Sequence, residues 1–69
     1  METLAVVALL NDIPGRDLRR GQVGTVVETL APDVYEVDFS DDEGRTYASL
    51  ALPAAMLIQL HHEPVRKAA

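Results

Sequence analysis

Between Val34 and Ser40 the chain alternates without a break: Tyr35, Val37 and Phe39 fall on one parity, Glu36, Asp38 and Ser40 on the other. Successive side chains of a strand point to opposite faces, so this period of two predicts a β-strand with its aromatic and aliphatic side chains inward. The chain has 69 residues and no cysteine, which excludes disulfide and thiolate-zinc frameworks. A chain this short buries only roughly 60% of the surface it exposes when unfolded. A tight core must therefore hold it, with burial against another subunit as the remaining supplement.

The other segments fit the same class. Leu4 to Leu10 is an apolar run of strand length, stopped by Asn11, Asp12, Pro14 and Gly15. Asp12 to Arg20 reads as an irregular loop, and Leu18 is expected to pack under the Gly21 to Thr25 segment in an ordinary core role. Gly21 and Gly24 bracket the entry to a second strand, Val23 to Leu30, where glycine supplies positive φ, a bulge or a close backbone approach. Ala31-Pro32-Asp33 makes a turn, Asp41 to Gly44 a hairpin loop, and Arg45 to Leu52 a fourth strand. Pro53 opens one helical turn to Met56, where a missing N–H costs nothing. A fifth strand, Leu57 to His61, is expected with Ile58 and Leu60 inward. The domain is set at residues 1–62, followed by a flexible tail from Glu63 to Ala69 with nothing to bury.

Five short strands, a long first loop, tight hairpins and a single 3-10 turn before the last strand describe an all-β fold, a small five-stranded SH3-like barrel. Closing the sheet on itself removes edges that so small a protein could not cover. An oligonucleotide-binding barrel usually places a full helix between its third and fourth strands, where this chain has only Asp41 to Gly44.

Charge narrows the function. Eleven acids against six lysines and arginines give a net charge of −5, which opposes binding to nucleic acid or anionic membrane, because phosphate binding rests on Lys and Arg. Seven acids (Glu28, Asp33, Glu36, Asp38, Asp41, Asp42 and Glu43) lie in one stretch without a base, whereas Arg16, Arg19 and Arg20 crowd one loop. No apolar run approaches the roughly 18 to 20 residues that span a bilayer, and no positive charge precedes the apolar stretch of METLAVV. A cytoplasmic setting is expected.

The stretch Leu18 to Gly44, LRRGQVGTVVETLAPDVYEVDFSDDEG, resembles the G-x-x-G-x-V core of many SH3-like barrels. These include the KOW motif of ribosomal and transcription-elongation proteins, the barrel of the nitrile hydratase β-subunit and those of small photosynthetic accessory subunits. The resemblance implies docking on something larger. Over about residues 4 to 60, the pattern VALLNDIP, LRRGQVGTVVE, YEVDF and DEGRTYASLALPAAMLIQL is similar to a family of short bacterial proteins classed as a domain of unknown function. That likeness implies the fold and no activity.

Constellations that would carry chemistry fail on spacing. In an EF-hand reading that starts at Asp38, Glu43 takes the sixth position, which requires Gly, and Ser49 the twelfth, which requires Glu. His61 and His62 are adjacent, so on a strand they point to opposite faces and share no metal. Ser40 and Ser49 lack a nucleophile-elbow context, and no cleft walled by aromatics surrounds Glu36 and Asp38. Gly21 to Thr25 lacks the Lys and the following helix of a phosphate loop, so bulge-forming glycines are the better account. Polyproline recognition needs several aromatics including Trp, and the aromatics here are Tyr35, Phe39 and Tyr47.

The resulting expectation is a non-catalytic protein-binding accessory module with no cofactor and no metal. It would be a docking subunit or an immunity- or antitoxin-like partner of a neighbouring gene product. Arg16, Arg19 and Arg20 on one side, and Asp41 and Asp42 on the other, are the candidate partner-binding residues, since opposite patches steer association and also let copies contact each other. The alternative is a KOW-like RNA- or ribosome-binding module that uses the same arginines.

Overall fold

A computed structural model describes residues 1–61. It contains β1 (Val6–Leu9), a 3-10 turn (Pro14–Arg16), β2 (Val23–Ala31), β3 (Val34–Ser40), β4 (Thr46–Pro53), a second 3-10 turn (Ala54–Met56) and β5 (Leu57–Gln59). All pairings are antiparallel, in the order β4-β3-β2-β1-β5. The chain is an all-β meander whose last strand returns beside the first. The hydrogen-bonded ladder itself is open, with β4 and β5 as its ends and no pairing between them among the described residues. The tail beyond His62 lies outside the described residues.

The alternation in β3 sets the core as expected. Tyr35, Val37 and Phe39 are buried, and β4 sets Leu52, Leu50 and Ala48 opposite them. Directly opposed residues share a face, so these rows line one side of the sheet. Val7, Leu9, Leu18, Val26 and Leu57 complete the core. The nitrogen of Met1 donates to the Tyr35 hydroxyl at 3.0 Å, which satisfies the polar end of the buried ring.

Three expectations need correction. Ile58 and Leu60 point outward, at 50% and 37% exposure, and Leu57 is the inward residue of β5 at 5%. The pairing of β5 with β1 decides this, because Leu57 lies opposite the buried Leu9 and Ile58 opposite Ala8 on the other face. The loop after β1 is also more ordered than an irregular segment: it holds a 3-10 turn started by Pro14 and closed by an Ile13–Leu18 bridge over the buried Leu18. The glycines at the start of β2 divide their roles. Gly21, at φ +91°, heads a bulge, since its N–H donates to the Leu9 carbonyl while the Leu9 N–H donates to Gln22, so two residues face one. Gly24 forms no bulge and instead permits a close approach: a Cβ there would meet Val37 Cγ1 at 2.8 Å, and Asp38 O and Phe39 Cδ1 at 2.9 Å.

A second bulge begins β1. Leu4 N–H donates to the Val26 carbonyl and Val26 N–H to Ala5, with Leu4 at φ +73°. This left-handed residue shortens the expected first strand at its N-terminal side.

Candidate functional site

The face of the sheet opposite the core is divided by composition. On β5, β1 and β2 it is apolar: Ile58 and Val23 flank Ala8 in one row, and they are half-exposed at 50% and 49%. Ala8 is buried by these two larger neighbours although it faces away from the core. Leu60, whose N–H donates to the Val6 carbonyl at 2.8 Å, extends the surface at one end, and the exposed Leu10 extends it at the other.

On β2, β3 and β4 the same face is acidic. Glu28 lies directly opposite Glu36 and Asp38 opposite Ser49. Like charges placed so are mutually repulsive. The single hydroxyl hydrogen of Ser49 is shared between Asp38 Oδ1 at 2.5 Å and Glu36 Oε1 at 2.9 Å, which draws the two carboxylates toward one donor.

The arginine loop borders the apolar half through Gly21 and Gln22. Its backbone is fixed by the side chains of Asp12 and Gln22. Asp12 Oδ1 accepts the Arg20 N–H at 2.8 Å. The Gln22 amide oxygen accepts the Arg19 N–H, and its Nε2 donates to the Tyr47 hydroxyl at 3.0 Å. Arg16, Arg19 and Arg20 are exposed, and none pairs with a carboxylate among the described residues. Asp12 and Asp17, which adjoin them in sequence, form no ion pair with them. Asp12, Pro14, Asp17, Leu18 and Arg19 line a hollow of about 330 Å³ on this loop.

The hairpin acids stand differently. Asp41 Oδ1 accepts the N–H groups of Glu43 and Arg45 at 2.9 and 3.0 Å, and the Arg45 guanidinium reaches both Asp41 and Glu43. Asp41 thus closes the turn that Gly44, at φ +81°, completes, while Asp42 is exposed. The two candidate patches lie in separate loops at the same end of the β2–β3 pair, where Gln22, which caps the arginine loop, reaches Tyr47 just after the hairpin. Among the described residues no group of three or more His, Cys, Asp or Glu is placed to hold a metal ion, and no helix is long and apolar enough to cross a membrane.

Sequence reading missed the apolar half-face. The signal was present in Leu4 to Leu10, which is apolar at both parities and so requires cover on both faces of the strand. A family model described as Domain of unknown function (DUF4926) matches residues 3–59. No curated protein and no solved structure shows significant similarity to the chain.

Proposed function

For this chain, which belongs to the DUF4926 family, we propose the role of a non-catalytic docking module. The observation that carries this reading is the apolar surface of Leu10, Val23, Ile58 and Leu60 beside the arginine loop, which forms no ion pair among the described residues. Isolated exposed apolar side chains are ordinary, but a contiguous apolar area rimmed by charge marks an interaction surface. The partner that fits is a protein with an apolar patch bordered by carboxylates, since bidentate Arg–carboxylate pairs would fix its orientation. An accessory subunit or an immunity- or antitoxin-like protein acting in the cytoplasm has this kind of partner, encoded nearby.

We read the scaffold as an SH3-like barrel. The return of β5 beside β1 and the 3-10 turn before it support that reading, because they curl a meander toward closure. The test is affinity capture with the wild-type chain, identification of the retained protein, and surface plasmon resonance with the purified partner. Val23→Asp with Ile58→Asp should abolish binding, and Arg19→Glu with Arg20→Glu should slow association and remove its salt dependence. Full binding by both double variants, with loss in Asp41→Lys and Asp42→Lys, would move the interface to the hairpin and overturn the assignment. Tight RNA binding lost with the arginines would favour the KOW-like alternative.

A further inference from the structure

Among the described residues the β4 edge of the sheet is open, long and uncharged. Thr46–Pro53 reads TYASLALP, with no charged residue and no interior Gly or Pro. Natural edge strands are blunted by charge, proline, bulges or brevity. Here the bulge lies only at the N-terminal end, around Tyr47 opposite Phe39 and Ser40, and the proline only at the C-terminal end. The opposite edge is guarded: β5 has three residues, and the Leu57 N–H is already taken by the Ala54 carbonyl.

The phase of the β4 backbone follows from one bond. Ala54 N–H donates to the Asp33 carbonyl at 2.8 Å, and Val34 lies opposite Pro53. In an antiparallel pair the bonded residues alternate, so Leu52, Leu50 and Ala48 bond to β3. Ser49 and Ala51 therefore turn both their N–H and C=O groups to the free edge, and Pro53 turns a carbonyl without an N–H.

From this pattern we infer that β4 pairs antiparallel with β4 of a second copy, about a two-fold axis at Leu50. Ser49 of each chain then faces Ala51 of the other, and each donates and accepts one hydrogen bond. Shifting the axis to Ala51 sets Ser49 against Pro53, which has no N–H to give. Shifting it to Ser49 sets Ala51 against Tyr47, whose backbone is distorted by the bulge. The axis at Leu50 is thus the register in which Ser49 and Ala51 bond to each other, while Pro53 falls opposite Tyr47, whose backbone the bulge already distorts.

The side chains agree with it. On the core side Leu50 meets its own copy at a non-hydrogen-bonded position, where side chains come closest, and Ala48 meets Leu52. Leu50 and Ala48 are half-buried in the single chain and gain cover. The acids do not oppose the pairing. Glu36 and Asp38 stand on β3, so the two copies' sets are three strand spacings apart, about 14 Å, beyond the Debye length of about 8 Å at physiological salt. The interface is isologous and closes on itself, as a two-fold contact must. It is independent of the docking face, which lies on β5, β1 and β2.

The test is analytical ultracentrifugation from about 10 μM to about 1 mM, the range of weak interfaces, with Ala51→Pro as the variant. Proline removes an outward N–H and leaves the β3 ladder intact, a position where edge strands tolerate it. The expected result is a monomer–dimer equilibrium for the wild type and at least about a tenfold rise in the dissociation constant for the variant. Amide hydrogen exchange on the wild type guards against a variant that fails to fold. Ser49 and Ala51 should gain protection as concentration rises, while Leu50, already bonded to β3, should not. A wild type that stays monomeric throughout, or a dimer with Ser49 and Ala51 unprotected, overturns the inference. A folded Ala51→Pro dimer of unchanged affinity does the same.

Discussion

Gly24→Ala is the most informative single substitution in the core. Gly24 sits between Val7 on β1 and Phe39 on β3, its φ lies outside the left-handed region, and its added Cβ would approach three atoms at 2.8 to 2.9 Å. Two effects compete. Alanine restricts the unfolded chain, which stabilises by about 0.4 to 1 kcal/mol wherever the native conformation accepts it. Overpacking opposes this and costs about 1 to 3 kcal/mol in a close-packed interior. Overpacking wins, because Val37 and Phe39 are fully buried and cannot swing away, and the third atom is a backbone carbonyl of the β2–β3 ladder. The net loss is about 1 to 2 kcal/mol. In a domain of this length that lowers the melting temperature by about 4 to 16 °C, and Gly24→Val should exceed it. Circular dichroism melts read the change. Gly15→Ala is the control: a Cβ at Gly15 has nothing within 4 Å and no positive φ, so it should gain the entropic term alone. A Gly24→Ala melting temperature equal to or above that of the wild type would refute the close-approach reasoning.

Two further substitutions test the register and the strained bulge. Leu57→Ala should destabilise by about 2 to 5 kcal/mol and Ile58→Ala by much less, a contrast read from urea midpoints; a larger loss at Ile58 would reverse the facing of β5. Leu4→Gly should stabilise by about 0.5 to 1 kcal/mol, since relief of the left-handed strain, about 1 to 2 kcal/mol, exceeds the entropic cost of glycine, and Leu4 is 72% exposed. A lower melting temperature in that variant would show the bulge to be unstrained.

What the sequence made legible was whatever local chemistry decides. The alternation of Tyr35, Val37 and Phe39 placed β3 and its buried face, Pro32-Asp33 placed a turn, and Pro53 placed the second 3-10 turn. The facing of β5 was not legible, because Leu57, Ile58 and Leu60 are all apolar and a three-residue strand offers no alternation to read. Pairing with β1, almost fifty residues earlier in the chain, makes the choice. The same holds for the candidate site. Arg16, Arg19 and Arg20 could be named from charge, but the apolar row of Val23, Ala8 and Ile58, into which their loop leads through Gly21 and Gln22, depends on three strands meeting. The neutralisation of Asp41 by Arg45 depends on the hairpin turning back on itself.

The division of the outer face links the two surfaces argued for this molecule. An apolar half-face next to a bare edge would invite unlimited sheet growth if they met on the same strand. Here three acids, Glu28, Glu36 and Asp38, occupy the strands between them, and the edge nearest the apolar half is the short β5. A two-fold pairing at β4 consumes the one long edge among the described residues and generates no new one, so association stops at two copies. The docking half-faces would then lie at the far ends of a continuous ten-stranded sheet, the sum of five strands from each copy, both accessible. A dimer so arranged engages a partner with two matching sites more tightly than either site alone, by effective concentration. Ala51→Pro should therefore weaken capture of a dimeric partner while leaving the affinity for an isolated partner subunit unchanged, and equal loss for both would mean that the edge itself contacts the partner.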